Sequence, residues 1–510
     1  MSVAGPGPGP GPGSGHESAA AFGTSPAPID RRRLFVGACL ALIATSVAFA
    51  TVGAVMLALK RDFVLTNQEV GWIGGAALWG FAVSQLVFAP LCDTLGMRFL
   101  VRLAWLCHLL GTVTMIFATG FWMLFGGALV IAMGNGLVEA ACNPLVATLF
   151  PDDKTVKLNQ FHVWFPGGIV LGGLGAYALD AAGVGAWQVK LALILVPTMI
   201  YGALLLRRPF PATEGVQAGV SVGEMFRAAL LTPFMWVMLI AMAMTASVEL
   251  GPNRWVPAVL EAGGMPGILV LVWISGLMAV LRFKAGPVVE RLSPTGVLLA
   301  SSILSGLGLL GLYLWGSGAL AFVAATVFAV GVCYFWPTML GVVSERVPRS
   351  GALGLGLMGT VGMATVGLIT APQMGRIADT YAEERIPAAQ TVELFRAASA
   401  ELAGAERPDA RTAAEAAREI VTAYEASGDL PTPATANALR AVIGAGAGAE
   451  PEAAALAERA GAILGPADNY GGRISFLYVA PLCGVLALLF GFMYVRDRRA
   501  GGYVVEEIAA

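Results

Sequence analysis

Apolar runs of about 20 residues recur along this 510-residue chain, and nothing else in it constrains the fold as strongly. A run of that length suits an α-helix crossing bilayer hydrocarbon, where each backbone polar group must be satisfied within its own segment. Charged residues make up only 13% of the chain and hydrophobic ones 57%, with a mean hydropathy of +0.74. An ordinary globular chain carries roughly 25% charged residues. The class is therefore an all-α polytopic membrane protein with the lipid bilayer as its solvent. A net charge of -2 argues against a nucleic-acid partner. The six cysteines (39, 92, 107, 142, 333 and 483) all fall inside apolar runs, as small core residues do. No metal-ligand cluster and no nucleophile–base constellation is visible, so neither an enzyme nor a bound cofactor is expected.

Residues 1–30 open with GPGPGPGPG and cannot bury a core, so they read as a disordered cytoplasmic tail. Arg31, Arg32 and Arg33 then precede a run too long for a cleaved signal, which reads as helix 1. Further runs place helices 2 to 6 at about 70–91, 99–118, 122–150, 160–179 and 186–206. Helices 7 to 12 fall at about 233–261, 267–285, 295–316, 319–344, 351–378 and 474–495, twelve in all. The expected units are two bundles, 31–206 and 233–379 with 473–499, joined by the linker 207–232 and followed by a 500–510 tail. Within the linker, SVGEMFRAAL reads as an amphipathic helix on the membrane surface.

Basic residues cluster at 31–33, 98–102, 154–157, 207–227, 282–291, 346–349 and 496–499, which are alternate connections. The positive-inside rule then puts both termini in the cytoplasm of a bacterial-type inner membrane. On the opposite side the connections are short, except for residues 380–472. That insertion is rich in Ala, Glu and Arg, reads as a water-soluble helical segment, and has apolar positions enough for a modest core.

Weak internal repetition accompanies this plan. Pro90-Leu-Cys-Asp93-Thr-Leu95 recurs as Pro287-Val-Val-Glu290-Arg-Leu292, and Tyr177-Ala-Leu-Asp180 as Arg376-Ile-Ala-Asp379. Both offsets are close to 200 residues and skip six helices. Two six-helix pseudo-repeats imply halves that rock about a site near the bilayer midplane.

The stretch from Gly136 to Tyr177 carries the chemistry. It reads as two helices joined by a polar turn, Pro151–Gln160. Glu139 and Asn143 are four apart, on one face of the first helix. An intramembrane carboxylate is costly and marks a functional site by default. Burial disfavours its charged form, as a group that loads and releases a proton requires. Glu249 in helix 7, with Asn253 and Arg254 close behind, forms a second polar group, and His162 and Trp164 begin the glycine-rich helix 5. Tyr334 and Trp336 offer aromatic faces in helix 10. The expected assignments are proton coupling at Glu139 and Glu249, and solute contact at Asn143, His162, Trp164, Asn253, Arg254, Tyr334 and Trp336. Asp93, Arg98, Arg102, Arg282 and Glu290 are expected to act as a cytoplasmic gate.

The stretch APLCDTLGMRFLVR, Ala89 to Arg102, resembles the helix 2–3 signature of the major facilitator superfamily, with Ala89 and Pro90 where a glycine is usual. Glu139, Asn143-Pro144 and Leu158-Asn159 resemble the fucose:proton symporter family, whose sugar-transporting members Glu249 and Arg282 also fit. The resemblance implies a major facilitator fold, a monomer, and a proton symporter moving a small-molecule solute, with a sugar as the expected class. Helix 1 departs from the family, since nothing acidic lies between Leu34 and Leu59. An exporter of amphiphilic compounds and a non-transporting membrane sensor are the alternatives.

Overall fold

The computed structural model describes residues 29–508, apart from 64, 66, 432–433 and 447–449. The expected N-terminal tail, residues 1–28, lies outside them. Among the described residues helices dominate, and eleven are long and apolar enough to cross a membrane. A twelfth, shorter apolar helix at Leu269–Phe283 takes the eighth position.

The first half comprises α1 (Arg31–Asp62), α2 (Asn67–Phe88), α3 (Met97–Ile116), α4 (Phe121–Leu149), α5 (Lys154–His162 with Trp164–Ala181) and α6 (Trp187–Ala192 with Leu195–Leu205). The second begins with α7 (Pro233–Ala262), α8 (Gly267–Phe283), α9 (Ala285–Leu314) and α10 (Gly318–Val332 with Phe335–Arg346). It continues with α11, in which Gly351–Thr365 and Ala371–Glu383 are joined through the π-turn Val366–Thr370. Within the first half α4 packs on α2 and α3, and α1 on α5 and α6; within the second α9 packs on α10. The halves meet where α2 lies on α11 and where α5 lies on α8 and α10.

The repeat seen in the sequence has a backbone counterpart. Leu95 is followed by Gly96 at φ 81°, ψ 145°, and Leu292 by Ser293 at φ 60°, ψ 162°. Each puts the chain into the left-handed region at the same step of the repeat. Ser293 is the one non-glycine residue with positive φ among the described residues. It breaks α9 into a shorter helix over 285–292 and a longer one over 294–314, the second lying where helix 9 is expected.

Two expectations about segment ends are corrected, one at the turn after α4 and one at the insertion. The turn expected at Pro151–Gln160 shrinks to a single 3₁₀ turn, Pro151–Asp153, because Thr155, Leu158 and Asn159 pack inward and continue as helix. The linker helix, Val222–Leu231, is capped by Ser221 and Glu224, and it turns Met225 and Ala229 onto Leu353 of the bundle. The insertion forms α12 (Ala388–Glu401), α13 (Pro408–Ser427), α14 (Ala434–Ala445) and the start of α15 (Pro451–Arg499), around a core including Phe395, Leu439 and Val442. No break separates that segment from the twelfth span. Gly471 and Gly472 do not end the helix; a Cβ on Gly471 would lie 2.0 Å from the Ala378 carbonyl oxygen, so glycine is what lets α15 touch α11. The described cysteines are all free, and all but Cys107 are buried.

Candidate functional site

Four buried ionisable side chains meet near the middle of the bundle: Glu139 on α4, His162 on α5, Glu249 on α7 and Arg282 on α8. They line a roughly water-sized cavity of about 30 Å³ with Phe81 and Trp336.

Glu139 has no lysine or arginine paired with it among the described residues. Asn143, one turn on, donates from Nδ2 to its Oε2 at 2.5 Å. His162 lies on the other side, its Nε2 3.4 Å from Oε1 but outside hydrogen-bond geometry. The carbonyl of Leu158 can only accept, so the 2.9 Å contact from His162 Nδ1 puts a proton on that nitrogen. Nε2 is left facing the carboxyl with no other partner, as is Oδ1 of Asn143.

Glu249 has a fixed countercharge. Arg282 Nη2 donates to its Oε1 at 2.7 Å, and the Trp336 amide donates to Oε2 at 3.2 Å. That amide is free because Trp336 lies in the first turn after the break in α10, where helix donors lack intrahelical acceptors. The remaining donors of Arg282 go to two carbonyls, Cys333 at 2.5 Å from Nε and His162 at 3.1 Å from Nη1. Each carbonyl stands four residues before a proline, Pro337 and Pro166 respectively, which has no N–H to take it. Arg282 therefore ties the second half to the first through backbone that two prolines left open.

Above this cluster, toward the end of the bundle opposite the termini, a larger cavity of about 440 Å³ opens. Phe165, Leu250 and Met363 line both cavities and form the floor between them. Asn253 and Arg254 stand on its wall, and Phe49 faces Phe165 edge-on at 5.8 Å.

The other end is closed by contacts between halves. Lys154 Nζ pairs with Glu214 at 2.7 Å and reaches the Ser344 carbonyl at 3.4 Å. The Thr155 amide donates to Glu345 Oε1 at 2.9 Å, and Asn159 Nδ2 to Thr338 Oγ1 at 3.2 Å. Gly341 makes the approach possible, since a Cβ there would lie 2.1 Å from Thr155 Oγ1. Tyr503, from the C-terminal tail, donates to Glu345 Oε2 at 2.8 Å, and burial pushes its hydroxyl well up, so it remains a donor.

Of the solute contacts expected from sequence, His162, Asn253, Arg254 and Trp336 line one of the two cavities. Asn143 acts on Glu139 instead. Two placements are corrected. Trp164 is exposed on the outside of the bundle, and its neighbour Phe165 faces inward. Tyr334 spends its hydroxyl on the Leu281 carbonyl at 2.9 Å and lines neither cavity. The expected gate is also corrected. Arg282 is in the central cluster, where Glu249 draws it, and Glu290 is exposed without a hydrogen bond or ion pair among the described residues. Asp93 accepts from Thr213 of the linker, and Arg102 donates to the Leu206 carbonyl of its own half. Arg98 keeps Nε buried and unpartnered. Sequence reading missed Lys154, Glu345 and Tyr503, and it passed over Pro166 and Pro337 as the signal for the open carbonyls that Arg282 meets.

The family model of the Major Facilitator Superfamily matches residues 34–384. The chain belongs to that superfamily. A gentisate transporter of Corynebacterium glutamicum is 22% identical over 347 residues, 63% of this chain and 75% of its own. A hexose transporter of Saccharomyces cerevisiae is 27% identical over 209 residues, 38% of this chain and 36% of its own. Among solved superfamily structures, FucP in the outward conformation superposes with TM-score 0.55 at 19% identity, covering 68% of this chain and 92% of that one. A bacterial homologue of the lysosomal transporter Spinster, inward-facing, gives 0.56 at 15%, over 91% and 97%. These likenesses establish an all-α, multi-pass superfamily fold.

Proposed function

We propose that this superfamily member is a secondary active transporter that carries a small polar solute with protons by alternating access. The observation that carries this reading is Glu139, a buried carboxylate at the seam of the halves with one amide donor and an imidazole nitrogen 3.4 Å away. Its proton then passes between Glu139 and His162 as the halves rock. Glu249 and Arg282 hold the floor of the solute cavity, and Lys154, Thr155 and Glu345 open and close the far end. The distribution of basic residues supports cytoplasmic termini in a bacterial-type inner membrane, and the protein acts as a monomer.

A sugar is the solute supported by the names of several relatives, which are hexose and glucose transporters. Others are a gentisate transporter and a putative niacin/nicotinamide transporter. One observation favours the second chemistry: the 440 Å³ cavity is walled mainly by apolar side chains, which suits an amphiphilic solute.

The test of coupling is Glu139→Gln in proteoliposomes, with a panel of labelled monosaccharides and aromatic acids. Accumulation driven by an imposed pH gradient is expected to vanish while counterflow exchange persists. A mutant that still concentrates solute against its gradient would show that Glu139 is only structural.

A further inference from the structure

Arg254 stands on the wall of the larger cavity with its guanidinium unspent: it makes no hydrogen bond or ion pair among the described residues. Arg254 is exposed, and an arginine in a membrane bundle that faces an open cavity rather than a countercharge marks a solute pathway by default. Asn253 beside it has a buried Oδ1 that is also without a partner. Of the sixteen residues lining the cavity only Asn253, Arg254, Glu261 and Ser275 are polar, and Arg254 alone is basic. A hexose, with hydroxyls around its whole ring, would leave most of them against apolar walls, which is unfavourable once water has been displaced. A solute with one anionic end and an apolar body matches the lining instead.

Two further features fix where the anion sits. Glu261 is on the same helix, seven residues on and so roughly 10 Å nearer the mouth. It is exposed and forms no ion pair with Arg254, so water screens its repulsion of an entering anion. Arg254 also reaches a smaller pocket of about 70 Å³ that is otherwise built by the first half, with Phe49, Ala132 and Asn135. A group bound to the guanidinium therefore touches both halves at once.

We infer that the solute is an organic monoanion with an apolar body of about ring size, its carboxylate paired with Arg254 in the two-pronged geometry that guanidinium favours. The inference rests on the reading of the chain as a transporter, and it names the class of solute.

The test uses the full-length purified protein, with benzoate and 4-hydroxybenzoate as probes and benzamide, glucose and fucose as uncharged comparisons. Binding is read by calorimetry in detergent and by counterflow in proteoliposomes, with protein-free liposomes subtracting passive entry of the neutral acids. Both carboxylates are expected to bind and benzamide and the sugars not to. Arg254→Gln is expected to weaken carboxylate binding on the order of tenfold or more, with Arg254→Lys between it and the parent. Monodisperse elution of both variants shows that they are folded. Benzamide or a hexose binding as tightly as benzoate, an unchanged Arg254→Gln affinity, or no binding of either carboxylate would overturn the inference. Arg254-dependent binding without accumulation in a pH gradient would leave the solute class standing and remove proton coupling. Gradient-driven uptake of a hexose with no carboxylate binding would do the reverse.

Discussion

Each half of the bundle places one buried glutamate on the central cavity, and the two are treated in opposite ways. Glu139 in the first half has an amide at 2.5 Å and an imidazole nitrogen at 3.4 Å, neither carrying a permanent charge. Glu249 in the second has a guanidinium at 2.7 Å and a backbone amide at 3.2 Å. Both side chains are almost wholly buried. The same carboxyl in the same apolar setting is thus left to an amide and an imidazole in one half and given a built-in countercharge in the other. The backbone shows the same division of labour: the left-handed step after the repeated motif falls on Gly96 in the first half and on Ser293 in the second.

The largest effect is expected where the fixed pair is broken. Arg282→Gln leaves Glu249 buried without its cation, which should cost about 3–5 kcal/mol of stability. Thermal unfolding in detergent would show it, and the double variant Glu249→Gln/Arg282→Gln should recover much of the loss. A single variant as stable as the parent would mean that the pair does not hold the fold. In the first half the counterpart change is milder. Asn143→Ala removes the donor to Glu139 and should cost on the order of 1–3 kcal/mol, as for one buried acceptor left unsatisfied. Equal losses for the two variants would erase the contrast between the halves. The smallest effect has the opposite sign. Ser293→Gly relieves a conformation that is almost confined to glycine and should add roughly 1 kcal/mol. A melting temperature that stays put would show that Ser293 is not strained.

Much of this architecture is legible in the residues alone. Apolar length identifies the spans, and the buried acid at Glu139 with Asn143 four residues on points to the centre of the molecule. The repeat after Pro90 and Pro287 marks equivalent turns. Less legible is the closed end of the bundle, because Lys154 and Glu345 look like ordinary loop charges until α5 meets α10 and the Thr155 amide reaches Glu345 across 190 residues. The insertion reads as helical from its composition, but its continuity with the last span depends on Gly471 meeting the Ala378 carbonyl, a contact between distant segments.

Sequence by itself determined that this chain lives in a membrane and keeps a few polar groups there, since hydrophobic length and the penalty for buried charge act residue by residue. Which of those groups meet was left to the tertiary structure. A helix turns about 100° per residue, so a single step separates Trp164 on the outside from Phe165 on the cavity floor, and composition is blind to that phase. Arg282 found its acid 33 positions away, and its two carbonyls 51 and 120 positions away, only because helix packing brought them within reach. Electrostatic pairing acts over a few ångströms in space and takes no account of distance along the chain.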